Sequence, residues 1–335
     1  MMRDSRFMKV VQRLAIAGLT VLSVTAVRPA QAAERVIRFA NHFSLDNPIN
    51  KAALAFADVV GKKTNGRIEI RIVPNASLGN ERQVMEGLQF GSIEMGYVAA
   101  NVVQGVEPAA GALSLPYIVR DFDQAFKVED SALAKEIEAK ILKTMGVRVL
   151  AYNPTGFREV ATRSRAVKSI ADFKNLKIRV PESRLMVDTF NALGAAPTPL
   201  PWGDIYMGVQ SGLIDGAESP PGIMDDAKLF EVMSIVTLTN HVFTDGYILI
   251  NEKLWQSLSE QDKAAMLEGA KADQDLERSL TVEQQTSTIE SLKKRGITVN
   301  TIDTKPLQEA VLPVYQAYAK TIGGMDLINR IMAVK

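Results

Sequence analysis

No cysteine occurs among the 335 residues, and there are only two histidines. The missing thiols exclude a disulfide framework, a thiolate zinc site, an iron–sulfur cluster, a cysteine nucleophile and a lipid-modified N-terminal cysteine. His42 and His241 lie far apart and outside any H-E-x-x-H spacing, so imidazole-based metal or triad chemistry has little material. Excess charge of one sign is lacking as well. With 39 basic against 38 acidic side chains the formal net charge is +1, and no basic block interrupts the chain, so nucleic acid is not expected as a partner. P-loop, G-x-G-x-x-G and G-x-S-x-G patterns are all absent. Carboxylate pairs such as Asp225-Asp226 read as a solvated helix start, and His241 reads as a structural histidine before a base.

Long apolar runs are confined to the N-terminus. Arg3, Arg6, Lys9 and Arg13 precede an apolar stretch from Leu14 to Val27, too short to span a bilayer comfortably, and Ala30-Gln31-Ala32 follows as a small-residue cleavage pattern. The expectation is a secretory signal over residues 1–32, cut near Ala32, releasing a soluble periplasmic protein with no stable membrane insertion. Those residues hold five basic groups and one acidic group, a surplus of +4, so the remaining chain carries −3. A mildly acidic protein cannot attract anions by its overall field; it needs locally placed cations.

What remains is rich in core material: 47% hydrophobic residues, no low-complexity tract, and a length suited to about two domains. Residues 35–40 alternate like a strand, Pro48 opens a helical period through Ala52, Phe56 and Val60, and Ile68, Ile70 and Ile72 mark a second strand. A helix over 81–90 ended by Gly91 and a strand at 93–98 complete a β-α-β-α-β order, the pattern of an open α/β sheet. Further strands are expected at 147–152, 176–180 and 213–217, with helices over 182–193 and 204–211. From Ser259 to Arg295 the only breaker is Gly269, so one helix of about 36 residues, roughly 54 Å at ~1.5 Å per residue, is expected.

Four segments hold candidate binding groups. In Lys177-Ile-Arg-Val-Pro181, Arg179 sits between apolar neighbours near a strand's carboxyl end, where ligands of open α/β sheets gather, and a guanidinium grips a carboxylate with two parallel hydrogen bonds. A solvent-facing strand arginine has the same spacing, so local sequence leaves both open. Pro154 and Gly156 suggest a loop after the strand ending at Tyr152, with Arg158 at its rim. Trp202, one of two tryptophans, stands in a Pro/Gly-punctuated loop from which it can wall a pocket or pack beneath the loop. Glu218-Ser-Pro-Pro221 follows the short strand, presenting Ser219 to a ligand or making a plain turn.

Together these segments resemble a known family. Gly156-Phe-Arg158, the run from Ile170 through Lys177-Ile-Arg-Val-Pro-Glu182, Leu193 to Pro199, and Val209 to Glu218 are similar to the DctP-type periplasmic solute-binding subunit of tripartite ATP-independent periplasmic (TRAP) transporters. Phe56-Ala through Asn65-Gly66, Pro74 through Gly79, and Leu115-Pro116 before Arg120-Asp121 extend the likeness over nearly the whole mature chain. The resemblance implies a two-domain α/β clamshell of mixed sheets flanked by helices, a long helix spanning both domains, and a ligand cleft between them. The domains expected are 33–155 with 245–285 and 156–244 with 286–335. It also implies binding of a small organic acid without catalysis, delivery to integral membrane small and large subunits, and no cofactor or metal. Arg179 falls on the family's carboxylate-binding arginine and Arg158 on its helper. Trp202 falls on an aromatic pocket position, Tyr206 lies on the helix that follows, and His42 lines the cleft from the other domain. Glu218 and Ser219 stand where the family commonly has Glu-Asn, so the shorter Ser219 reaches a carboxylate through water or leaves room for a larger ligand. The rival readings are an exported enzyme acting on a sugar acid with Asp204 as base, and an ABC-type binding protein.

Overall fold

The computed structural model describes residues 33–335; the segment read as a secretory signal lies outside the described residues. Eleven strands occur in this range: β1 (Arg35–Ala40), β2 (Ile68–Val73), β3 (Met95–Ala99), β4 (Val147–Tyr152), β5 (Gly156–Thr162), β6 (Lys177–Val180), β7 (Ala196–Pro199), β8 (Gly216–Ser219), β9 (Ile235–Thr244), β10 (Gly246–Asn251) and β11 (Thr298–Thr301). They form two mixed sheets, ordered β2-β1-β3-β10-β4 and β11-β9-β5-β8-β6-β7. In the first, β1 runs parallel to β2 and β3, as the β-α-β-α-β reading requires, and β10 inserts antiparallel between β3 and β4.

Local chemistry explains the elements that precede the site. Asn47 accepts from the amide of Ile49 and Pro48 takes the first turn of the helix Pro48–Lys63, where its missing N–H costs nothing. Asn80 and Gln83 close a reciprocal capping box on the helix Glu81–Phe90, and Gly91 ends it at φ 79°. That cap holds Glu81 at the helix start, facing the region described below.

The chain passes between the sheets at three places. Asn153–Thr155 joins β4 to β5, Asp245 joins β9 to β10, and the helix Glu260–Lys294 separates β10 from β11. This long helix packs Met266 and Ala270 into the core under the first sheet and Leu292 into a core under the second. A larger cluster is continuous across both, joining Val98 and Leu249 to Phe157, Val160 and Phe243. Residues 33–335 accordingly make one compact unit.

Three local expectations need correction. Arg158 is not at the rim of a loop: Gly156–Thr162 is strand β5, buried throughout, because β8 and β9 cover it from both edges. The strand expected over 213–217 forms over Gly216–Ser219, so Glu218 and Ser219 lie within a strand and not in the turn after it. Gly216 sets that register, since a Cβ there would strike the Ala161 carbonyl oxygen. Asp225 and Asp226 close the helix Pro221–Asp226 instead of opening one; Asp225 pairs with Arg295 at 2.5 Å and Asp226 accepts from Asn47 at 2.6 Å.

Candidate functional site

Arg179 is the centre of the arrangement. On β6, between β7 and β8, it sits next to the strand's carboxyl end, and Pro181 turns the chain away immediately after it. Only 4% of the residue is exposed. Its Nε and Nη2 both donate to the Leu200 carbonyl, at 2.9 and 2.7 Å, and its guanidinium carbon stands 5.6 Å from the Trp202 ring centroid. Nη1 makes no hydrogen bond with a described residue, and no described carboxylate forms an ion pair with the group. Burial pulls its pKa down to about 10, partly opposed by the more distant Glu218 charge. A buried cation fixed by a backbone oxygen and an aromatic face, yet without a carboxylate partner, favours an incoming anion.

Arg158 is equally buried and fully engaged. It pairs bidentately with Glu218 through Nε and Nη2, donates again to the Glu218 carbonyl at 2.7 Å, and reaches Thr244 Oγ1 at 3.0 Å. His241 Nε2 lies 3.1 Å from the same carboxylate. Burial alone would push Glu218 up; Arg158 and His241 more than offset that and hold its carboxyl below the ordinary range. Burial lowers the His241 pKa, with its hydrogen bond to Glu218 acting the other way.

Two joined chambers open around Arg179. The outer, about 240 Å³, is lined by His42, Asn75, Glu81 and Arg82 on one side and Arg179, Pro181 and Trp202 on the other. The inner, about 40 Å³, adds Tyr97, Asn101, Arg158, Ser219 and Thr244. His42, Glu81, Arg179, Pro181 and Trp202 line both. Trp202 packs against the cores of both sheets, with the His42 ring 6.2 Å from its own. Burial lowers the His42 pKa, with Glu81, 3.9 Å from its Nδ1, acting the other way.

The structure therefore brings together Arg179, Arg158, Trp202, Ser219 and His42, and sets Glu218 directly behind Arg158. Tyr206 is not brought there: its hydroxyl donates to Glu231 at 3.1 Å, outside both chambers. Asp204, the base of the enzymatic reading, is exposed and also outside them. Glu81, Tyr97, Asn101 and Thr244 escape sequence reasoning because each is locally ordinary: a first-turn acid, a strand tyrosine, a loop-helix asparagine and a strand-end threonine. Among the described residues no group of three His, Asp or Glu is arranged to hold a metal ion, and no helix is long and apolar enough to cross a membrane.

Two α/β sheets with a cleft built around a buried arginine that lacks a carboxylate partner have the architecture of a solute-binding protein. The sequence profile of the bacterial extracellular solute-binding protein, family 7 (DctP), matches residues 39–321, and the chain belongs to that family. It is 30% identical over 325 residues, 96% of this chain and 97% of the other, to the 2,3-diketo-L-gulonate-binding periplasmic protein YiaO of Escherichia coli K12. Among solved structures it is similar to a TRAP periplasmic solute-binding protein from Xanthobacter autotrophicus Py2 with bound β-D-galacturonate, at TM-score 0.86 and 30% identity, covering 89% of this chain and 100% of that one. A TRAP protein from Haemophilus influenzae with bound L-gulonate matches at TM-score 0.86 and 28% identity, over 90% and 99% of the two chains. Solute binding is the role of this family, and its members are solute-binding proteins and not enzymes.

Proposed function

We propose that this protein captures a sugar acid by its carboxylate at Arg179, without chemical change, and delivers it to the integral membrane subunits of a TRAP transporter. The observation that carries the reading is the buried Arg179 guanidinium with no carboxylate partner. Gulonate and galacturonate in the similar structures support the ligand class. Trp202, Ser219 and His42 complete the ligand shell. Arg158 contributes a fixed positive edge whose charge Glu218 balances, which leaves Arg179 as the dominant attraction for an anion.

The moving bodies in this reading are residues 33–155 with 245–285 and 156–244 with 286–335. The strand memberships support that division, because every strand of the first sheet falls in the first set and every strand of the second in the other. A ligand touching His42 and Glu81 on one side and Arg179 and Trp202 on the other shifts an open–closed equilibrium by its differential affinity for the two forms. Export by the N-terminal signal belongs to the same proposal.

The test is a thermal-shift screen followed by calorimetry with aldonic, uronic, 2-keto, C4-dicarboxylic and aromatic acids. One class should raise Tm, since a ligand specific to the folded state stabilises by RT ln(1 + [L]/Kd). Arg179→Lys should weaken that binding at least about tenfold, because an ammonium cannot reproduce the planar fork. Unchanged affinity removes Arg179 from the role, and consumption of the bound acid on incubation returns the enzymatic reading.

A further inference from the structure

Three buried polar atoms, on residues that line the inner chamber, have no hydrogen-bond partner among the described residues: Tyr97 Oη, Asn101 Oδ1 and His42 Nδ1. The residues carrying the first two are 1% and 2% exposed. The Asn101 amide nitrogen also makes no hydrogen bond with a described residue, so this side chain has both a donor and an acceptor to offer. Burying such groups unpaired is costly, so a ligand that satisfies them gains over one that does not.

Geometry decides which part of a ligand meets them. Arg179 stands at the junction of the chambers, so an acid anchored there has its carboxylate at that junction. The inner chamber, at about 40 Å³, has room for little beyond the carboxylate and a substituent on the adjoining carbon; the remaining chain must enter the outer chamber of about 240 Å³. A bare methylene would leave Asn101 facing hydrocarbon, whereas an oxygen on that carbon gives its amide a partner in either orientation. Hydroxyl, keto and ring-ether oxygens all qualify, because an amide both donates and accepts.

We infer that Asn101 is a specificity-determining residue that selects acids bearing an oxygen on the carbon next to the carboxylate, assisted by Tyr97 and His42. This rests on the carboxylate-at-Arg179 reading above. A site built to hydrogen-bond such an oxygen discriminates strongly against the analogue lacking it, whereas apolar contact alone discriminates weakly.

Three matched pairs test it by calorimetry on the mature protein: D-gluconate with 2-deoxy-D-gluconate, D-glucuronate with its carbocyclic analogue, and malate with succinate. In every pair that binds, the oxygen-bearing member should bind at least about tenfold tighter. Asn101→Ala should shrink that ratio below about threefold while the unliganded Tm does not fall, because the side chain has no internal partner to lose. If the alanine variant fails to fold, Asn101→Ser serves, and the wild-type ratios stand without either. Equal affinities within a pair, or an undiminished ratio in the variant, overturn the inference while leaving carboxylate capture intact. Binding confined to acids without such an oxygen overturns it too. If no acid of any class raises Tm, the underlying reading fails and this inference with it.

Discussion

Arg158, between Phe157 and Glu159, and Arg179, between Ile178 and Val180, offer the same guanidinium, and their environments make them different tools. Arg158 has its charge balanced by Glu218 in a buried bidentate pair; Arg179 has only a carbonyl and an indole face. Truncating one partner of a buried pair strands the other in low dielectric. Glu218→Ala should therefore lower unfolding free energy by about 3–5 kcal/mol in urea titration, with Glu218→Gln less severe because the amide still accepts from Arg158. A loss below about 1 kcal/mol would mean the pair is solvated. The lysine-versus-arginine test at Arg179 should separate from this by costing affinity with little stability.

Elements that bury one face were legible from the chain. The isoleucines of β2, the capping box at Asn80 and the unbroken run after Ser259 each announce their element locally. The strands β5, β9 and β10 were harder. Their β-branched and aromatic residues are visible, but nothing local says that Asp245 sends the next strand to the other sheet, or that Pro154 and Gly156 open a buried strand. The long helix depends on one close approach: a Cβ at Gly269 would lie 2.9 Å from Val60 Cγ2 and 3.1 Å from the Phe56 carbonyl oxygen. Gly269→Ala sets about 0.5–1 kcal/mol of helix propensity against overpacking worth about 1–3 kcal/mol. Net destabilisation by chemical denaturation is expected, and a stabilised variant would show that the helix pair relaxes freely.

For the whole molecule, the crossings between sheets gather buried carboxyls. Asp273 and Glu277 on the long helix and Asp245 between β9 and β10 are 0% exposed, and Glu159 on β5 is 2% exposed. Glu129 is buried near Asp245 and Glu277 and pairs with Arg278 at 2.8 Å, while Asp130 shares the same arginine at 2.9 Å. Burial pushes Asp273 up to about 8 against the Asn153 hydrogen bond, pushes Glu159 up to about 8 against amides of Thr239 and Asn240, and raises Asp245 and Glu277. Groups whose folded pKa exceeds the unfolded value of about 4 contribute stability that is present at low pH and lost as pH rises toward the folded value. The buried histidines act oppositely, their contribution being lost as pH falls below about 6.5. Between about pH 7 and 8.5 the carboxyls prevail. The urea midpoint should be lower at pH 8.5 than at pH 7, and an equal or higher midpoint would show these carboxyls already ionised in the fold.

Sequence alone determined the chemistry available: no thiols, scarce imidazole, a near-neutral chain, an export-like N-terminus, and the Lys177–Pro181 and Gly156–Arg158 motifs that resemble the family. It also named Arg179, Arg158, Trp202, Ser219 and His42, which line the chambers, because motif residues carry their own label. Tertiary structure decided which arginine is balanced and which is free, excluded Tyr206 from the chambers, and brought in Tyr97, Asn101 and Glu81. The reason is physical: periodicity and spacing report the face a side chain occupies along one element, whereas a charge's partner is set by folding, Leu200 lying 21 positions from Arg179 and Glu218 lying 60 from Arg158.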